Sequence, residues 1–569
     1  MLGFGLGARP AVDSLRVVWP DGRVSVRRAV ATNQLVTVEQ ASSSPAGPPP
    51  PPVRALLTDV TKSAALDFVH HENAFVDFDR ERLIPKLLST EGPMVAVGDV
   101  NGDGLDDVYI GGAKEQPGWL ALQRRDGTFA ASDSGVFAPD AISEDVGAVF
   151  FDANGDGRPD LYVVSGGSEY SDGAPALQDR LYLNDGRGHL RRAADALPPE
   201  YASGSRVVAA DYDGDGAIDL FVGGRVEPWR YGVSPQSLLL RNDGRGHFTN
   251  VTAQRAPELE RIGMVTDAAW RDVDDDGRLD LIVVGEWMPI TVFRNQGGGR
   301  LKRLVVPGLE KSDGWWNRIV AGDFTGDGRV DFIVGNLGEN GGLHASASEP
   351  TTMLVKDFDA NGSYEQILTA VDHGKRYPLS LRDDLLRALP MLANRLPTYA
   401  SYAGKTVEQI FTPAELGDAL VRQTYTFATT LVRNEGGGRF TLVPLPGEAQ
   451  LAPVYAILPS DVDGDGHADL LMAGNFDGFR PEIGRMAASY GVLLRGDGRG
   501  GFTPSRAPES GFFVPGQARD IARIRTAGGE AFIVTRNNDA PLLFRSTRSR
   551  RSLAARSEPV RAASERSSR

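Results

Sequence analysis

Seven nine-residue stretches, DVNGDGLDD, DANGDGRPD, DYDGDGAID, DVDDDGRLD, DFTGDGRVD, DFDANGSYE and DVDGDGHAD, place oxygen-bearing side chains at positions 1, 3, 5 and 9. These are Asp99, Asn101, Asp103 and Asp107; Asp152, Asn154, Asp156 and Asp160; Asp211, Asp213, Asp215 and Asp219; Asp272, Asp274, Asp276 and Asp280; Asp323, Thr325, Asp327 and Asp331; Asp357, Asp359, Asn361 and Glu365; and Asp461, Asp463, Asp465 and Asp469. Calcium takes about six to eight hard oxygens at about 2.3–2.6 Å, and alternate residues of a tight loop can converge on one centre, with a backbone carbonyl and water completing the shell. Glycine at position 6 of every stretch permits the sharp, often positive-φ turn that brings position 9 back. The spacing predicts Ca2+ as the cofactor, at up to seven sites.

An EF-hand shares the opening spacing but needs a bidentate Glu at position 12 and a helix on either side. Position 12 is instead Ile110, Val163, Val222, Val283, Val334, Leu368 and Met472, all apolar and continuing strand-like text such as DLYVVSGG. Magnesium fits less well, because it demands octahedral geometry and keeps its waters. Zinc lacks its usual ligands: there is no cysteine, and of seven histidines only His467 lies inside a loop, at position 7. Without a cation each loop holds carboxylates close together and repels itself open, so binding to the folded form alone raises stability by mass action. The loops with Thr325 at position 3 and Glu365 at position 9 are expected to be the weakest.

Other groups suggest less. His70-His71-Glu72-Asn73 could bring imidazole and carboxylate together at a rim, although strand-end hydrogen bonding is the plainer account. Trp287, Trp315 and Trp316 could stack on sugar rings or wedge neighbouring sheets, and packing is the favoured reading. Carboxylate pairs for glycoside hydrolysis fall almost wholly inside the acidic loops, and neither a nucleophile elbow nor a phosphate-cradling loop is present. No catalytic constellation is recognised.

The elements that must hold these loops repeat with them. From about residue 54 to 545 each unit reads as a strand, the acidic loop, a second strand, a third such as LYLNDG, and a GxF turn into a fourth. First positions are separated by 53, 59, 61, 51, 34 and 104 residues, and a further 59 reaches Asp520, where RDIARI and AFIVTRNN keep two strands but lose the loop. Four strands in about fifty residues is the length of a propeller blade. The fold class is therefore all-β, a β-propeller of seven or eight four-stranded blades: eight if every unit is a blade, seven if the short fifth merges with the sixth. LLTDVT at 56–61 resembles the fourth-strand text FTNVT yet precedes the first loop, so it could complete the last blade.

The long gap carries an insertion over about 378–425, where DDLLRALPML and the capping box Thr412-Pro413-Ala414-Glu415 predict a small helical lid. Residues 1–40 read as a β fragment of three strands, LRVVWP, RVSVRRAV and QLVTVE; ASSSPAGPPPPPV at 41–53 reads as an extended polyproline linker, and the Arg- and Ser-rich residues 546–569 as a disordered tail. The net charge is −14, with 24 carboxylates at the four ligand positions, which ties acidity to metal and argues against nucleic acid as a partner. With no cysteine there are no disulfides, and residues 1–30 lack the apolar run of a signal peptide or membrane span.

The loops, with strand ends such as YIGGA, FVGG and IVVGE, resemble the FG-GAP and VCBS repeats of integrin α-chain propellers and of bacterial surface proteins. FGLGARPAVDSLRVVWPDGRVSVRRAVATNQLVTVE resembles the latter part of the ASPIC/UnbV domain that accompanies such repeats in the cartilage acidic protein family, and Met1 directly before it suggests a chain shortened at its N-terminal side. The resemblance implies a location outside the cytoplasm, in the cell envelope or beyond it, and a binding or adhesion role toward a protein or glycan. A polysaccharide-processing enzyme on the same ring is the alternative, and a structural spacer a third.

Overall fold

The structure, a computed structural model, describes residues 6–21, 23–44, 54–132 and 134–548. It divides into two units, Met1–Arg54 and Ala55–Arg569.

In the first unit Ala11–Val18 pairs antiparallel with Val24–Ala31. The third strand expected over QLVTVE does not form. The chain instead passes into a 3-10 turn at Gln40–Ser42, and Ser44 closes a bridge on Val24, at 2.9 and 3.0 Å. Two strands offer no apolar face for a third to cover, and Leu35 stays 73% exposed. The proline run at 45–53 and the tail from 549 lie outside the described residues.

Among the described residues the second unit is built of seven antiparallel sheets that follow one another along the chain, six of four strands and one, the fourth, extended to five by Gly314–Trp315, with an eighth sheet inserted in the fifth. Blade 1 comprises Val95–Gly98, Asp107–Ile110, Trp119–Gln123 and Phe129–Ala131; blade 2 comprises Asp145–Phe151, Asp160–Ser165, Arg180–Asn184 and Leu190–Arg192. Blade 3 is Ser203–Ala210, Asp219–Val226, Leu238–Asn242 and Phe248–Asn250, and blade 4 is Met264–Arg271, Asp280–Met288, Thr291–Asn295 and Leu301–Leu304. Blade 5 joins Arg318–Gly322 and Asp331–Gly335 to Thr430–Gly436 and Arg439–Pro444, and blade 6 is Val454–Ser460, Asp469–Gly474, Val492–Gly496 and Phe502–Ser505. Blade 7 is Gln517–Thr526, Gly529–Asn537 and Leu542–Ser546, completed by Leu57–Asp59 from the start of the unit.

The first strand of each blade touches the first strand of the next, and Gln517–Thr526 touches Val95–Gly98, so the ring closes. Second strands such as Asp160–Ser165 and Asp280–Met288 are buried along their whole length. This explains their unbroken apolar text, because both faces meet neighbouring blades.

Seven blades result because the fifth unit takes its outer strands from beyond the long gap. The loop at Asp357 therefore belongs to no blade. It lies in the inserted sheet of Thr351–Lys356, Glu365–Asp372, Lys375–Pro378 and Leu420–Thr424. The insertion also carries the expected helices, Arg382–Ala388 among them, and the Thr412–Glu415 capping box with Pro413 at the first helical position.

On the ring axis a small cavity of about 40 Å³ is bordered by residues of blades 2 to 7 and by Lys86 and Glu91 of the segment that leads into blade 1. Lys86 pairs with Glu286, and Arg225 bridges Glu91 and Glu286 at 2.6 and 3.0 Å. Trp315 and Trp316 are buried: Trp315 packs on Trp287, Phe427 and Phe479, and Trp316 within the cluster of blades 4 and 5. Packing, not sugar stacking, is what these indoles do here.

Candidate metal loops and the clips that hold them

Six of the acidic loops join the first strand of a blade to its second, and the Asp357 loop makes the same connection in the inserted sheet. Backbone geometry is common to all seven. Positions 4 and 6 both have positive φ, from Gly102 (75°) and Gly104 (86°) in the first loop to Asp275 (60°) and Gly277 (81°) in the fourth and Ala360 (58°) and Gly362 (91°) in the sixth. Glycine at position 6 was legible; the turn at position 4, which Asp275 and Ala360 also adopt, was not.

This winding points amide hydrogens inward. In the first loop Asp99 Oδ1 accepts from the amides of Gly102 (2.8 Å) and Asp103 (3.1 Å), and its Oδ2 from Gly104 (2.8 Å). Asn101 Oδ1 accepts from Asp103 at 3.0 Å, and Asp103 Oδ1 from Leu105 at 2.9 Å. The same position-1 and position-5 bonds recur at Asp152, Asp323 and their partners.

Position 9 is the buried anchor. Asp107, Asp160, Asp219, Asp280, Asp331 and Asp469 have no exposed surface, and Glu365 is buried. One oxygen accepts from the third strand, as in Gln123 N to Asp107 (2.8 Å), Asn184 N to Asp160 (2.8 Å) and Asn242 N to Asp219 (2.7 Å). The other usually accepts from the amide at position 2, as in Val100 to Asp107 and Ala153 to Asp160, both 3.0 Å. In the third loop that second bond is missing, and the buried Asp219 Oδ2 has no hydrogen-bond partner.

Four loops bring three acidic groups within 4.8 Å of one another: Asp211, Asp213 and Asp219; Asp272, Asp274 and Asp276; Asp357, Asp359 and Glu365; Asp461, Asp463 and Asp465. The loops with Asn101, Asn154 or Thr325 at position 3 are not among them. The Thr325 hydroxyl is already committed, donating to Asp331 Oδ2 at 3.0 Å. The Asp357 loop is as convergent as any, despite the Glu at its end.

Burial is the main cause that pushes the position-9 carboxyls up: Asp107, Asp219 and Glu365 to about 7, Asp160, Asp280 and Asp469 to about 6, with Asp331 moved the same way. Amide donors oppose the rise, and neighbouring loop carboxylates add to it. Guanidinium groups partly answer the charge: Arg241 reaches Asp213 (2.9 Å) and Asp215 (2.5 Å), and Arg294 reaches Asp274 (2.6 Å). The donor set is thus hard, anionic and incompletely satisfied, which suits a calcium-like ion. In four of the loops three such groups already lie within reach of one centre.

One class of residue was not recognised as functional in the sequence. Asn184, Asn242 and Asn295 end third strands and Asn434 lies two residues before the end of one, and each donates its side-chain amide to the position-2 carbonyl of the preceding blade's loop: Val100 (2.9 Å), Ala153 (2.9 Å), Tyr212 (2.7 Å) and Val273 (3.3 Å). The signal was present in the texts LYLNDG, LLLRND, VFRNQG and LVRNEG. Each Asn clips two blades at an acidic loop.

Residues 99–163, 164–222 and 272–334 match the FG-GAP-like repeat, and residues 1–45 match ASPIC and UnbV. These matches support an FG-GAP/UnbV family assignment. Cartilage acidic protein 1 of Homo sapiens is 31% identical over 229 residues, 38% of this chain and 32% of that protein; the Xenopus tropicalis protein of the same name is 26% identical over 217 residues, 37% and 31% of the two. The FG-GAP/UnbV chain thus spans about a third of the length of the curated relatives it matches. Among solved structures, the crystal structure of BBS1N in complex with ARL6DN, soaked with mercury, aligns over 87% of this chain and 98% of that one at 12% identity and a TM-score of 0.35, too low to bear on function. No helix among the described residues is long and apolar enough to cross a membrane.

Proposed function

We propose that this FG-GAP/UnbV propeller is a calcium-stabilised binding or adhesion module working outside the cytoplasm, with calcium in a structural role and a protein or glycan as its ligand. The observation that carries the metal reading is the Asp219 carboxylate: its Oδ2 is buried without a donor, and the group brings an oxygen within 4.8 Å of carboxylate oxygens of Asp211 and Asp213. A buried carboxylate oxygen left unsatisfied costs roughly 1–3 kcal/mol or more, and a cation between the three groups removes that cost. The FG-GAP-like repeats and the likeness to cartilage acidic protein 1 support the extracellular binding role.

Elemental analysis of the purified chain, equilibrated with calcium and desalted, is expected to find several bound Ca2+ ions and a melting temperature that falls after EDTA. A chain that folds normally and retains no calcium refutes the metal reading. Glycan and protein arrays followed by product analysis test the ligand: binding without cleavage supports the module, and new reducing or unsaturated ends would instead show an enzyme.

A further inference from the structure

The His70-His71-Glu72-Asn73 motif lies in a strap, residues 66–94, that leads into blade 1, and most of its side chains between Leu83 and Ser89 are buried. Its Glu72 accepts on Oε1 from Asn537 Nδ2 at 2.5 Å, while Oε2 is buried with no donor. Glu144 stands immediately before the first strand of blade 2; it is 1% exposed, and neither of its carboxylate oxygens has a hydrogen-bond partner. Glu169, in the loop between the second and third strands of the same blade, takes Lys114 (2.7 Å) and Asn73 Nδ2 (3.0 Å) on Oε2 and leaves Oε1 buried and unpartnered.

Four carboxylate oxygens from three chain segments are therefore buried without donors. His70 Nε2 on the same strap is also buried without a partner, but other polar groups of the region are committed. Both oxygens of Asp77 are taken by the Ser168 and Ser89 hydroxyls, and Arg519 donates to the carbonyls of Thr90 and Asn475. Gly167 lies against the Glu144 carboxylate so closely that a Cβ there would run into Oε2. The carboxylates repel one another: burial first, then Glu72, Glu169, Glu91 and Asp77, push the Glu144 carboxyl well above the usual range, and burial moves Glu72 to about 7. Interior carboxylates persist where a countercharge or donor meets them, and here the protein supplies neither to Glu144.

We propose that Glu72, Glu144 and Glu169 form a buried site for a hard divalent cation that ties the strap to blade 2. The site is distinct from the acidic loops. Glu144 precedes the strand Asp145–Phe151, whereas the loop at Asp152 follows it, and a strand of that length separates the two by roughly 20 Å at about 3.3 Å per residue. Three acidic ligand atoms do not converge within 4.8 Å here as they do in four of the loops, so an ion at this site would need water to complete its shell. The all-oxygen donor set selects Ca2+ or Mn2+ over softer metals.

The test uses the full chain, stripped with EDTA, loaded with Mn2+ and desalted. Glu144→Gln and Glu169→Gln keep shape and remove charge, and each is expected to retain one ion fewer than the wild type, with faster amide exchange across residues 70–77. An unchanged ion count in both folded variants overturns the site. Should a variant not fold, crystals of the wild type soaked in Mn2+ decide: an anomalous peak among the three carboxylates supports the proposal, and its absence at a position where the loops show peaks overturns it. Asp219→Asn serves as the control, because its ion loss reports on a loop and leaves the count at Glu144 untouched.

Discussion

Asp219→Asn exchanges one atom of the third loop. The retained oxygen can still accept from Asn242 N at 2.7 Å, and the new NH2 stands where Asp219 Oδ2 had no partner. Without a cation, burial lifts this carboxyl from 3.8 to about 7. A carboxyl whose folded value is raised contributes stability that is complete below its unfolded value and lost as pH rises through the folded one, so at about pH 8 the full penalty of ionisation is present. A gap of about 3 at 1.36 kcal/mol per unit sets a ceiling of roughly 4 kcal/mol, and solvent reaching the loop reduces it to about 2 kcal/mol.

Asparagine removes that penalty, so the variant is expected to be more stable than the wild type in EDTA at about pH 8, by about 2 kcal/mol at most. In calcium the order reverses. An ion at about a hundred times its Kd adds about 2.7 kcal/mol, and the variant forgoes it. Urea melts of both chains in EDTA and in CaCl2, supported by amide exchange in blade 3, read the swing. A variant that melts below the wild type in both solutions, or identically in both, refutes the assignment of Asp219 as a ligand.

Acidification should act oppositely on the two forms. Asp107, Asp160, Asp219, Asp280, Glu365 and Asp469 all titrate at about 6 to 7. Their contribution to the calcium-free ring therefore grows as pH falls from about 7 toward 4, while calcium has to displace protons, so the melting gap between the two forms narrows over that range. Asn242→Ala leaves the backbone donor to Asp219 in place but strips the carbonyls of Ala153 and Ile218 of their clip; a loss of roughly 1–3 kcal/mol in a urea melt, with calcium affinity little changed, is expected. Thr325→Asp adds a carboxylate to the loop whose hydroxyl is spent on Asp331, and calorimetry should find calcium bound about tenfold tighter there and the calcium-free chain less stable.

The repeat, the acidic loops and the closure of the ring by residues 57–59 were legible because each leaves a local mark: alternate oxygens, a glycine turn, or a strand's worth of apolar text out of place. Blade number was harder. The loop at Asp357 has the same oxygen spacing as those of the blades, and only the pairing of Asp331–Gly335 with Thr430–Gly436 across the gap shows that it belongs to an insertion. Long-range pairing of that kind has no local signature. The N-terminal strand assignment failed for a related reason: QLVTVE has strand propensity but no face to pack on, and propensity alone does not hold an edge. Glu144 was invisible in the sequence, since nothing local to it reports that Glu72 and Glu169 are folded against it.

Position 9 explains why loops, sheets and ring behave as one system. Asp160 starts a second strand, holds the amide of Ala153 within its own loop, and accepts from Asn184, whose side chain grips Val100 of the blade before it. A cation drawn to Asp160 would thus tighten a loop, a sheet and a seam between blades in one step. Blade 7 has no such loop, and its seam with blade 1 is held differently: Arg525 reaches Asp106 at 2.6 Å through both its amide and its guanidinium, and its carbonyl accepts from Gln123 at 3.0 Å. An arginine there does permanently what calcium would do at the acidic loops.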